Sequence, residues 1–177
     1  MQVNGWTLYL DPLFREQLER LTSRVEALRA KDSLGYKELP AAKLLATIDR
    51  FMREIVPRDP GAAEFRQGNT LGPDNRHWFR AKFHARYRLF YRFSSKQKVI
   101  VYAWVNDEST LRKAGAATDP YAVFRAMLRA GNPPDTMAEL LAAARRLGAA
   151  EKDQARRKPE KGAEPWRERM AYIFRNA

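Results

Sequence analysis

With 177 residues, 45% of them apolar, the chain has the length and hydrophobic content for one domain with some extension. Its 33 Lys and Arg against 21 Asp and Glu leave a formal charge of +12 and a pI near 10.2, which selects nucleic acid, an acidic protein or an anionic surface as partner. Cysteine is absent, excluding disulfides, thiolate nucleophiles and cysteine-based zinc sites.

The N-terminal MQVNGWTLYLD lacks the basic-then-apolar form of a signal peptide, and the longest apolar run, Val99 to Val105, is too short to span a bilayer. These features predict a soluble, cytoplasmic protein with no membrane partner. Gly5 to Leu10 predicts a short strand, closed by Asp11-Pro12, where Asp11 can cap a helix and proline suits its first turn. Phe14, Leu18, Leu21, Val25 and Leu28 recur at steps of four and three and predict that helix, broken at Lys31 to Gly35. A second helix is predicted from Pro40 to Ile55, with Leu44, Leu45, Ile48, Phe51, Met52 and Ile55 buried and Pro57 and Pro60 after its end. The two helices read as an antiparallel pair lying on a sheet.

Residues 61–75 (GAAEFRQGNTLGPDN) have the composition of a loop. Three strands follow. From Trp78 to Phe83 the residues alternate, with Trp78, Arg80 and Lys82 on one side and Phe79, Ala81 and Phe83 on the other. From Arg86 to Phe93 the same split puts Arg86, Arg88, Phe90 and Arg92 on one side and Tyr87, Leu89, Tyr91 and Phe93 on the other. Ser94 to Gln97 is a hairpin turn, and Val99 to Val105 is apolar on both faces, as in a strand covered on both sides. Ten Lys and Arg against two acids lie between Arg76 and Lys113, so +8 of the charge is concentrated here. This cationic face is expected to grip a polyanion.

Thr118-Asp119-Pro120 opens another helix, with Tyr121, Phe124, Met127 and Leu128 on its apolar side, and Gly131 to Pro134 stops it. Thr136 to Glu139 is a capping box opening a helix through Leu147. From Gly148 the composition changes to eight basic and five acidic residues. Residues 151–164 read as a flexible basic linker, and Trp166, Met170, Tyr172, Ile173 and Phe174 as a terminal helix. The expected organisation is a domain over 1–147 and a basic extension over 148–177. The fold class is α+β.

Strand, two helices, three antiparallel strands and a short helix is the order of the RelE-type toxin superfamily. The segments NGWTLY, KLLATI, FRQGNTLG, RYRLFYRFS, WVNDESTLR and TDPYAVFRAML, spread over about residues 3 to 145, resemble the YhaV branch of that superfamily. The resemblance implies an antiparallel sheet of about four strands packed on the N-terminal helical pair, with helices after it. It implies a toxin of a type II toxin–antitoxin system, an endoribonuclease that cuts messenger RNA, in the superfamily usually during translation on the ribosome. It also implies an antitoxin partner of the PrlF type, with a swapped-hairpin DNA-binding domain through which operator DNA would be reached. The antitoxin is expected to cover Arg80, Lys82 or Arg88, or to displace the helix after Thr118.

The residue inventory is compatible with that chemistry. The two histidines, His77 and His84, are too few for most metal sites, and no Gly-rich loop is followed by Lys-Ser/Thr, so neither a metal nor a cofactor is expected. Cleavage of RNA without metal needs the 2′-OH deprotonated, the charge on the pentavalent phosphate neutralised and the leaving 5′-oxygen protonated. Arginine holds two phosphate oxygens at once, and a lysine set among arginines is disfavoured in its charged form and can serve as a base. By position in the family's motif, Arg80 and Lys82 match its paired basic residues, Arg88 matches the arginine of its Y-R-L strand, and Arg112 is a looser match to the cation after the last strand. The roles implied are Lys82 as base or electrostatic aid, Arg88 as transition-state clamp, and Arg80 and Arg112 as positioning cations. Arg86, Arg92, His84 and Tyr121 are substrate-contact candidates, with Tyr121 or His84 available as general acid because Lys113-Ala114-Gly115 offers none. Against these stand plainer readings: Arg80 and Arg86 as solvated strand positions, Arg92 facing solvent or an acidic partner, and His84 as a loop residue. Two functional alternatives also stand: a basic module that binds nucleic acid without cutting it, and a gyrase poison on the same fold.

Overall fold

The computed structural model describes residues 1–157, with side chains described through residue 150. Five strands form one sheet in the order β1-β2-β5-β4-β3, where β1 is Gln2–Val3, β2 Trp6–Leu10, β3 Phe79–Phe83, β4 Tyr87–Ser94 and β5 Val99–Val105. Strands β3, β4 and β5 pair antiparallel, as their alternation predicts. Two features depart from the expected four-stranded antiparallel sheet. Gln2–Val3 adds a fifth strand through a tight turn at Asn4-Gly5, both at positive φ, the conformation that Asn-Gly favours between paired strands. And β2 runs parallel to β5, because the chain crosses over through the helical pair before it re-enters the sheet.

Helices α1 (Pro12–Lys31) and α2 (Pro40–Arg50) cover one face. Asp11 caps α1 by accepting from the Leu13 N–H at 3.0 Å. The second helix continues as a π turn over Phe51–Ile55 and a 3-10 turn over Val56–Arg58, which accounts for the helix expected through Ile55. Phe14, Leu18, Leu45, Ile48 and Met52 pack there on Leu8, Leu89, Tyr91, Ile100 and Tyr102.

Helices α3 (Pro120–Arg129) and α4 (Met137–Arg157) cover the other face. Phe124 stacks on Phe90 with ring centroids 4.3 Å apart and meets Trp78 edge-on at 5.0 Å. A register shift between Phe90 and Tyr91 lets adjacent Ala103 and Trp104 both join this second core. Strand β5 lies between the two cores and is buried along its whole length. Helix α4 extends past Leu147, so residues 151–157, expected as flexible linker, are helical instead. The remainder of that expected linker and the expected helix around Trp166 lie outside the described residues. No helix among the described residues is long and apolar enough to cross a membrane.

Candidate active site

Strands β3 and β4 pair Arg80 with Phe90 and Lys82 with Arg88, which puts the three cations on one face of the sheet, beside the second core. That face is less open than the sequence suggests. Arg80 and Arg88 are each only 7% exposed, because α3 passes over them, whereas Lys82 is exposed. The first turn of α3 carries Tyr121, itself 5% exposed, and its hydroxyl oxygen accepts from Arg80 Nε at 2.8 Å and from Arg88 Nε at 3.3 Å. Arg80 Nη1 donates to the Glu64 carbonyl at 2.7 Å, and Arg88 Nη1 to the carbonyls of Ala85 and Tyr87 at 3.0 and 2.7 Å.

All of these acceptors are neutral. Among the described residues neither guanidinium has a carboxylate partner, so two nearly buried positive charges are hydrogen-bonded but not neutralised. Among the described residues, buried side-chain polar atoms without a partner include Asp11 Oδ2, Thr22 Oγ1 and Arg92 Nε. The Nη2 groups of Arg80 and Arg88 have no acceptor among the described residues. These two donors match what a phosphate oxygen accepts.

The third arginine arrives from the segment after β5. The Arg112 guanidinium lies 5.3 Å from the centre of the Tyr121 ring and is ion-paired with Asp119, the residue that caps α3. The Arg112 N–H donates to the Arg86 carbonyl at 3.1 Å, and Arg86 Nε donates back to the Arg112 carbonyl at 3.3 Å. Arg86 therefore ties the start of β4 to this segment. Buried Asn106 adds a second tie, accepting from the Arg88 N–H and donating to the carbonyls of Arg86 and Thr110. Asp107 holds the intervening turn. Burial raises its pKa, but hydrogen bonds from Ser109 and Thr110 outweigh that and keep it below the usual carboxylate value.

The structure thus brings together Arg80, Arg88, Arg112 and Tyr121, with Lys82 directly across from Arg88. Two candidates point elsewhere. His84 shares a hydrogen bond of 2.8 Å with Thr47 in α2 and meets the rings of Phe83 and Tyr87, on the side of the helical pair. Its φ of +43° and that of Ala85, +57°, form a left-handed hairpin tip without glycine. Arg92 donates to the Asp135 carbonyl and lies 5.6 Å from the centre of the Trp78 ring, where burial lowers its pKa and Asp135 opposes the shift. Asp119, which holds the cluster together with Asn106, reads in the sequence only as the opening of a helix. A lone Asp-Pro step marks the cap, but nothing local marks its grip on Arg112.

A family described as a toxin with endonuclease activity, of a toxin–antitoxin system, matches residues 8–145. The chain belongs to the YhaV toxin family. It is 47% identical over 135 residues to the Ribonuclease toxin YhaV of Escherichia coli K12 and to Toxin YhaV of strains CFT073 and O157:H7. The match spans 75% of this chain and 88% of each relative. No solved structure matches. The chain is accordingly a toxin with endonuclease activity, paired with an antitoxin, and the non-cleaving alternatives are not favoured.

Proposed function

We propose that this YhaV-family toxin cleaves messenger RNA without a metal ion, through the arginine cluster at Tyr121. The observation that carries the reading is the convergence of Arg80 and Arg88 on one phenolic oxygen with no carboxylate to neutralise them. That arrangement holds fixed positive charge where a phosphodiester gains negative charge in its transition state. The K12 relative, titled a ribonuclease toxin, supports RNA as the substrate. The charge stabilisation is assigned to the guanidinium groups of Arg80, Arg88 and Arg112, which meet at Tyr121.

In this reading Lys82 takes the proton of the 2′-OH. The 2′-oxygen attacks the adjacent phosphorus while Arg88 clamps the equatorial oxygens through its Nη2, and Arg80 and Arg112 position the phosphate. The Tyr121 oxygen accepts two N–H groups, leaving its single proton for the departing 5′-oxygen. The products are a 2′,3′-cyclic phosphate and a 5′-hydroxyl. Arg86 lies at the rim as a further phosphate contact. The antitoxin is of the PrlF type, reaches operator DNA through its own domain, and silences the enzyme in the cytoplasm by covering Arg80, Lys82 or Arg88 or by displacing α3.

The test is cleavage of naked RNA and of message under translation, with a chelator present, by wild type and Lys82→Ala. Wild type is expected to cut with chelator, and Lys82→Ala to be slower by about 10²-fold, the scale of one lost charge-stabilising or proton-transfer group. Cutting that stops when metal is removed, or a Lys82→Ala loss below about threefold, a small fraction of that scale, would overturn the assignment. Comparing the two substrates decides whether the ribosome is required.

A further inference from the structure

We infer that Asp119 is a positioning residue for cleavage, acting through Arg112; the inference rests on the active-site reading above. Asp119 is 4% exposed, and its two oxygens divide the work. Oδ1 accepts from the Tyr121 N–H at 3.1 Å and caps α3. Oδ2 accepts from the Lys113 N–H at 2.9 Å and from the Arg112 guanidinium. One buried carboxylate thus fastens the helix that carries Tyr121 to the segment that carries Arg112. The result is a cation held 5.3 Å from the centre of the ring whose hydroxyl serves Arg80 and Arg88.

An acid beside a site for a polyanion is unfavourable for binding, because it cancels part of the attraction. A residue of that sign, buried against the one cluster arginine that has a charge partner, is explained by geometry. It orients Arg112, whose long side chain would otherwise be free to swing to solvent. Asn in its place keeps an oxygen for the helix cap, since Asn and Asp cap equally well, but removes the charge that holds the guanidinium.

Asp119→Asn is therefore expected to separate binding from turnover. RNA affinity, measured with a substrate bearing 2′-deoxy sugars that blocks cleavage, should be unchanged or tighter, while the single-turnover rate falls about 10-fold or more, as for loss of a charge-orienting group. Arg112→Ala should show a similar fall. The double variant should be no slower than Arg112→Ala alone, because the two residues act as one unit. Thermal melts of the full-length variants check folding, and Arg112→Lys, which leaves the cap intact, should lose rate without losing stability.

Wild-type rates in Asp119→Asn, or losses that multiply in the double variant, would overturn the inference while leaving the cluster's role in place. Weaker RNA binding with an unchanged saturating rate would overturn it as well. A wild-type protein that does not cut RNA in chelator would instead remove the active-site reading, and this inference with it.

Discussion

The two faces of the sheet are made by alternate residues of the same strands, yet they finish their buried polar groups in different ways. Under α1 and α2 the strands present apolar side chains, and the two deep hydroxyls, of Tyr91 and Tyr102, donate to the carbonyls of Pro60 and Met52 at 2.8 and 2.9 Å. Burial pushes both phenols well above their ordinary pKa, so they stay neutral. Under α3 the neighbouring positions are Phe90, stacked on Phe124, and Arg80 and Arg88, which end on Tyr121. A few buried groups lack a partner among the described residues, Asp11 Oδ2 and Thr22 Oγ1 on the first face and Arg92 Nε on the second. Only the second gathers buried cations, Arg80 and Arg88, with no carboxylate partner among the described residues, and that difference separates a supporting face from a reactive one.

Truncating matched aromatic residues, one on each face, gives the largest expected effect. Phe14 and Phe124 are both fully buried, so Phe14→Ala and Phe124→Ala should each cost about 3–5 kcal/mol in denaturant unfolding. Their cleavage rates per folded molecule should diverge. Phe14→Ala should stay near wild type, whereas Phe124→Ala should fall, because α3 then no longer holds Tyr121 against the arginines. Equal rate losses would erase the distinction between the faces.

A smaller effect, confined to the supporting face, comes from Asp11. Its Oδ1 caps α1, but Oδ2 is buried without a partner, and burial pushes its pKa from 3.8 up to about 6. The folded state therefore holds this proton to higher pH than the unfolded chain does. Stability is undiminished below the ordinary carboxylate pKa and falls as pH rises through about 6, by on the order of 2 kcal/mol. Asp11→Asn keeps a capping oxygen and removes the charge, so it should raise the melting temperature at pH 7–8 by several degrees and have little effect near pH 4. A gain of the same size at both pH values would show that the buried charge is not the cause.

The fold was legible in the sequence where burial imposes a period. The heptad-like run from Phe14 to Leu28, the alternation in β3 and β4 and the uninterrupted apolar β5 all lie where their patterns place them. The two-residue strand at Gln2–Val3 was not read, although Asn4-Gly5 is a turn signature, because it is too short to show alternation. The parallel pairing of β2 with β5 depends on contacts about ninety residues apart, which no local pattern carries.

For the site, strand alternation places Arg80, Lys82 and Arg88 on one face, as they are. Their depth was not legible, because it depends on a helix some thirty residues later folding back over them. The same holds for Asp119, whose cap is visible in the Asp-Pro step but whose partner is set by tertiary packing. His84 shows the converse: its chemistry suits catalysis, while the left-handed turn sets its ring against Thr47, as in the plainer loop reading.

The most direct measurement is single-turnover cleavage of end-labelled RNA by wild type and Arg88→Ala, with the chemical ends of the products identified. Wild type should leave a 2′,3′-cyclic phosphate and a 5′-hydroxyl, and Arg88→Ala should be slower by about 10²-fold while still binding RNA, as expected for loss of one transition-state clamp. A 5′-phosphate on the wild-type product, or an Arg88→Ala rate within about threefold of wild type, far short of that scale, would contradict the account.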